Sequence, residues 1–293
     1  MKKYVTFCLF LVFFFSIQLQ SEQQEKKQPP HYRQEPNPVT IHKIRGNIYE
    51  LRGGSGANSA CMVTEKGIFV FDAKMDVESA QAMKKKIREV SDIPVTDIIL
   101  THSDGDHIQG LPGFPQGLTI ISHRNTRQHI DQYNSENKAN LPLPSMTFTE
   151  SLTIHSGETA FELYYYGPAH TNGDIIIYFP QEKVAILGDL YFKNRDPLIH
   201  MHKNGSSFGL AHALEQILAL DADIFLSGHS EPAAREDIQE YYQALKEKQK
   251  KVKDLVEAGK SLDDVKKVFG LPLEEQRWKN LVEVIYMELT EKK

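Results

Sequence analysis

Val95-Thr96-Asp97-Ile98-Ile99-Leu100-Thr101-His102-Ser103-Asp104-Gly105-Asp106-His107 joins a buried-type strand, Val95–Leu100, to a run of imidazoles and carboxylates. Four potential metal ligands, His102, Asp104, Asp106 and His107, fall within six residues. Gly105 lets that loop turn tightly enough for them to converge. Imidazole and carboxylate suit zinc, iron or manganese. A polar surface turn holding two histidines by chance is the bland alternative, and such density directly after an apolar strand argues against it.

The same arrangement recurs elsewhere in the chain. His170 lies in Gly167-Pro168-Ala169-His170-Thr171, after a strand read over Ala160–Tyr165. Asp189 follows Gly188 after the strand Lys183–Leu187, and His229 follows Gly228 after Asp223–Leu226. A single histidine after a strand is more often structural. Four ligand-bearing segments, each at a strand end beside Gly or Pro, are how a rigid sheet delivers side chains from separate loops to one place.

The remaining pattern is that of an α/β domain. Thr40–Ile44 and Asn47–Leu51 read as a hairpin turning at Arg45-Gly46, and Ser59–Thr64 and Gly67–Phe71 as two further strands. Asp76 caps a helix whose apolar positions Val77, Ala80, Met83, Ile87 and Val90 recur every three or four residues. Leu118–Ser122 is a strand, followed by a helix near Asn125–Tyr133. Thr147–Ile154 reads as one strand, and Asp174–Phe179 with Lys183–Leu187 as a hairpin around Pro180-Gln181. Ser207–Leu220 is a helix, Glu236 to Glu257 is helical and charged, and Ser261 opens a capping box for another helix. Two successive halves of strands then helix predict two sheets packed face to face with helices outside.

Composition narrows the function. The 293 residues carry a formal net charge of -5, with 25 % charged and 40 % hydrophobic residues. That balance argues against a nucleic-acid binder, which needs a basic face to neutralise phosphates, and leaves open a local basic patch. Lys2 and Lys3 precede an apolar run, Tyr4 to Ile17, which is short for a membrane span and fits a signal-peptide core. Residues 1–20 are therefore expected to be a signal peptide or an N-terminal anchor. Residues 21–38, rich in Gln, Glu, Lys and Pro, are expected to be a flexible linker, and 39–293 the domain. The expected location is exported, periplasmic or secreted. Without the leader only Cys61 remains of two cysteines, so there is no internal disulfide and no cysteine-rich zinc site. Any metal must be held by His, Asp and Glu.

The order His-x-Asp-x-Asp-His, then His, Asp and His, resembles the signature of the metallo-β-lactamase-like superfamily, over residues from about Thr40 to the end. The loops Ala169-His170-Thr171-Asn172-Gly173-Asp174 and Gly188-Asp189-Leu190-Tyr191-Phe192 share the resemblance. It implies an αββα sandwich of two mixed sheets with a two-metal site at its edge. It further implies that His102, Asp104 and His170 bind the first ion, Asp106, His107 and His229 the second, and that Asp189 bridges them. A hydroxide between two divalent ions would then be the nucleophile against an ester, thioester, lactone or amide, with Asp106 orienting it and passing on a proton.

One position departs from the commonest pattern: Asp104 stands where histidine is more usual. The charges of two divalent ions are then fully matched by Asp104, Asp106, Asp189 and the hydroxide. Zinc is the expected ion, and the extra carboxylate shifts the balance towards iron or manganese. Cys or Ser near Asp189, or Asn in the first motif, resembles dedicated β-lactamases, and this chain has neither, so weak β-lactamase activity is expected. An iron-dependent oxidoreductase and a non-catalytic binding protein are the rival readings. The expected partner is a small-molecule substrate, with no nucleic acid, and a membrane only through a retained leader. His200 and His202 fit either pocket lining or a plain loop. Lys193 and Arg195 fit either an anionic substrate group or solvent. His129 has no motif.

Overall fold

The computed structural model describes residues 37–274 and 276–291; the expected leader and nearly all of the expected linker lie outside them. The elements run β1 (Thr40–Arg45), β2 (Ile48–Arg52), β3 (Ser59–Val63), β4 (Ile68–Phe71), α1 (Val77–Arg88), β5 (Val95–Ile99), the single turn α2 (Gly105–Ile108), β6 (Thr119–His123), α3 (Arg124–Asn137) and β7 (Met146–Phe148). They continue with β8 (Ser151–Ser156), β9 (Thr159–Tyr164), β10 (Ile176–Phe179), β11 (Val184–Ile186), α4 (Ser207–Ala219), β12 (Ile224–Leu226), β13 (Ala233–Ala234), α5 (Arg235–Glu257), α6 (Leu262–Val268) and α7 (Leu281–Thr290).

Strands β1 to β7 form one sheet in sequence order, antiparallel through β4 and parallel beyond it. The second sheet runs β13-β12-β11-β10-β9-β8, with only the β11–β12 pair parallel. Successive strand side chains face opposite ways, and both ways are apolar here. Phe69 and Phe71 of β4 enter the layer between the sheets, while Ile68 and Val70 meet the helices outside. Ile177 and Phe179 of β10 face inward in the same manner, and Ile176 and Tyr178 face α4, α5 and α7. Edge-to-face rings lock the two inner faces, Phe69 on Phe161 at 5.1 Å and Phe71 on Phe179 at 5.6 Å between centroids. The result is the expected αββα sandwich.

One expected element divides. The single strand read over Thr147–Ile154 is two strands in different sheets, β7 beside β6 and β8 beside β9. The chain crosses from sheet to sheet at Thr149-Glu150. Phe148, Leu152 and Ile154 all pack into the inter-sheet layer, so their alternation continues across the crossing. The apolar positions on either side of the crossing thus share one parity, with only the exposed Glu150 between them.

Asp76 caps α1 as expected, its carboxylate accepting from the Ser79 N–H at 2.7 Å. The C-terminal ends of β4, β5, β9, β11 and β12 all deliver the chain to one edge of the sandwich. Among the described residues, no helix is long and apolar enough to cross a membrane.

Candidate metal centre

At that edge the seven residues singled out in the sequence meet. Ligand atoms of His102, Asp104 and His170 lie within 4.8 Å of one another, as do those of Asp106, His107 and His229, and those of His102, His107 and Asp189. Asp189 stands between the first two groups. Its Oδ1 is 3.2 Å from His107 Nε2, and its Oδ2 is 3.2 Å from His229 Nε2 and 3.9 Å from His170 Nε2.

The local backbone explains the convergence. Asp104 is extended and its carbonyl accepts from the His107 N–H, starting the helical turn α2. The backbone is extended only as far as Asp104, and the turn that follows swings Asp106 and His107 inward. Gly188, at φ +54, and Gly228 bring in Asp189 and His229. A Cβ on Gly228 would lie 2.4 Å from Asp189 Oδ1 and 2.8 Å from His107 Cε1, so only glycine fits.

Each buried imidazole is fixed by its outer nitrogen. His170 Nδ1 donates to the Leu198 carbonyl at 2.7 Å, and His107 Nδ1 to Asp72 Oδ2 at 2.7 Å. Asp72 is itself held by the Thr101 N–H and hydroxyl. His102 Nδ1 is 3.0 Å from Thr101 Oγ1. With Nδ1 as donor, the Nε2 lone pair faces the centre, the usual arrangement of a histidine ligand and its supporting partner. Asp72 was not singled out in the sequence. Its signal was there: it follows a buried strand as the candidate ligands do.

These donors fit a cation. His102 Nε2, His107 Nε2 and Asp189 Oδ1 are buried side-chain atoms with no hydrogen-bond partner. His107 Nε2 and Asp189 Oδ1, both acceptors, confront each other at 3.2 Å. Such confrontation costs free energy unless positive charge lies between them. Burial works against the charged form of His170, yet the hydrogen bond to Asp104 and the charge of Asp189 raise its pKa to about 9. Burial likewise opposes charge on His229, while hydrogen bonds to Asp106 and Asp189 raise its pKa to about 9. Burial disfavours the Asp189 and Asp106 carboxylates too, but the facing histidines hold both below the usual range. A divalent ion would compete with protons for these imidazoles.

Three further side chains surround Asp104 and its neighbour Ser103. His200, left open above as loop or pocket lining, is buried with Nε2 2.8 Å from Asp104 Oδ2. Lys203 Nζ donates to Asp104 Oδ1 at 2.6 Å. His129, given no role, lies 3.0 Å through Nδ1 from Ser103 Oγ. Arg195 stacks over Phe192 at 3.9 Å, and Phe192 stacks on His229. Two depressions adjoin the cluster. One of about 290 Å³ is lined by Ser103, Gly105, His129, Tyr133, His202 and Lys203. The other, about 490 Å³, is lined by Phe192, Lys193, Arg195, Asp237 and Tyr241.

Residues 52–229 match the family model of the metallo-beta-lactamase superfamily. The chain belongs to that superfamily. Among curated members it is 26 % identical over 243 residues to the 2,4-dinitroanisole O-demethylase subunit alpha of Nocardioides sp. (strain JS1661), covering 81 % of this chain and 72 % of that one. It is 28 % identical over 165 residues to a metallo-beta-lactamase type 2 of Elizabethkingia meningoseptica, covering 54 % of this chain and 64 % of the relative, just under two thirds of it. In structure it resembles a metallo-beta-lactamase from Pontibacter korlensis, with TM-score 0.62 and 18 % identity over 71 % of this chain and 99 % of that one. At such identity the superfamily likeness of the structures concerns the fold.

Proposed function

We propose that this superfamily member is a binuclear metal-dependent hydrolase. His102, Asp104 and His170 would hold one divalent ion, Asp106, His107 and His229 the other, with Asp189 shared. The observation that carries the reading is the set of buried, unpartnered acceptors turned toward one another, His102 Nε2, His107 Nε2 and Asp189 Oδ1. When bound, two such ions acidify water and polarise the bond to be cleaved. Zinc is the expected ion, with iron or manganese as the alternatives that Asp104 favours.

The protein's own residues supply the rest. Asp72 and the Leu198 carbonyl keep His107 and His170 oriented. Asp106, partly exposed with Oδ2 3.0 Å from His229 Nε2, would accept and release a proton at the mouth of the site. Phe192 excludes water from one side of His229. The substrate is a small molecule with a hydrolysable ester, thioester, lactone or amide. The demethylase relative spans most of this chain, which favours adding activated aryl methyl ethers to the candidates. The N-terminal residues support the further reading that the enzyme acts after export.

The test is elemental analysis of protein purified with its native metal, paired with a turnover screen of those substrate classes. Two metal ions per chain and chelator-sensitive turnover of one class are expected. Metal-bound protein that turns over none of these classes would contradict the hydrolase reading.

A further inference from the structure

Asp104 does not stand alone against its ion. Its Oδ1 accepts from Lys203 Nζ at 2.6 Å, and its Oδ2 lies 2.8 Å from His200 Nε2 and 3.0 Å from His170 Nε2. Lys203 also donates to the Ser103 carbonyl at 3.1 Å and lies 3.2 Å from Ser103 Oγ, so all three of its protons have acceptors. The turn carrying it is pinned to the backbone of a recognised ligand. The His200 N–H donates to the His170 carbonyl, and the Lys203 N–H to the His200 carbonyl. A Cβ on Gly205 would come within 2.3 Å of the His170 carbonyl oxygen. The ammonium group is therefore fixed in place by the fold.

We infer that Lys203 is a positioning residue that holds Asp104 as a one-oxygen ligand and returns to the first metal site the positive charge that aspartate removes. A carboxylate paired with an ammonium has the net charge of a neutral imidazole. Asp104 with Lys203 thus matches, in charge and in the number of free donor atoms, the histidine more usual there. Oδ1 belongs to Lys203, and Oδ2 is left for the ion, with His200 beside it. This inference rests on the binuclear reading proposed above.

Loss of Lys203 therefore changes metal affinity in an unusual direction. Loss of a residue that merely props up a site weakens metal binding. Loss of a cation beside a cation strengthens it, and also frees Oδ1 to bind. Full-length protein stripped of metal is titrated with Co²⁺ and with Zn²⁺ against a competing chelator. Occupancy is followed by the cobalt absorption spectrum and by quenching of Trp278, the chain's single tryptophan, whose ring centre is 5.2 Å from that of His200. Lys203→Met is expected to bind the first ion tighter, on the order of tenfold or more, with weaker cobalt absorption as coordination number rises. Lys203→Arg keeps the charge and should behave as the parent. Asp104→His should bind the first ion more weakly than Asp104→His combined with Lys203→Met, because only the double variant lacks an uncompensated cation. If the parent takes up two ions and Lys203→Met binds the first no tighter, this inference fails alone. If the parent takes up no ion at this cluster, the binuclear reading fails with it.

Discussion

Gly228 has no side chain because Asp189 Oδ1 and His107 occupy the place where one would be. Gly228→Ala must move one of them by several tenths of an ångström, and active-site geometry tolerates little of that. The variant is expected to fold, with an unchanged far-ultraviolet spectrum, and to lose roughly a hundredfold in turnover; turnover within a factor of three of the parent would contradict this. Asp72 acts at one remove, through His107 Nδ1. Asp72→Asn should lower metal affinity at the second site by about 10- to 100-fold, as loss of a ligand's supporting partner does, read by chelator competition. The seven candidate ligands were legible because each follows a strand that the sequence marks. His200 and Lys203 were not. They reach Asp104 across 96 and 99 residues of chain, through a turn whose shape depends on the His170 backbone. No local pattern announces such a meeting.

Among the elements, the strands buried on both faces were the most legible, because apolar runs such as Ile68–Phe71 admit little else. The crossing at Thr149-Glu150 was hidden because Phe148, Leu152 and Ile154 keep one parity in both sheets. The short segment after β4 holds a feature that sequence alone does not explain. Lys74, at φ +69 and wholly buried, donates to the carbonyls of Leu51 and Ala57 at 3.0 and 2.6 Å. It thereby ties the end of β2 to the loop whose Ala57 N–H meets the Asp106 carbonyl. Burial pushes the Lys74 ammonium down from its ordinary 10.5 to about 8. The unfolded chain therefore binds more protons between those values, and the stability of the native state rises with pH across that window. Relative to Lys74→Met, the parent should gain up to about 3 kcal/mol between pH 8 and pH 10.5, measured by denaturant unfolding at both ends. A gap that stays constant or narrows would contradict the burial argument.

Over the whole molecule, the described residues form one unit with its candidate site at a single sandwich edge. Membership of the family settles the fold and leaves the substrate to the rim of the site. Arg195 is laid over the Phe192 ring beside the site, and Asp189 stands near where the resemblance implies Cys or Ser in dedicated β-lactamases. Turnover of penicillins and carbapenems is expected to fall well below about 1 per second, the lower end of ordinary enzymes. A steady-state assay giving values of 10 per second or more would overturn that expectation. The binuclear proposal puts two ions in the edge cluster. Crystals of the full chain grown with its native metal, measured at that metal's absorption edge, would show them. Two anomalous peaks are predicted, one among His102, Asp104 and His170, the other among Asp106, His107 and His229, with Asp189 touching both. Electron density for this edge with no anomalous peak, or with a metal bound only elsewhere, would contradict it.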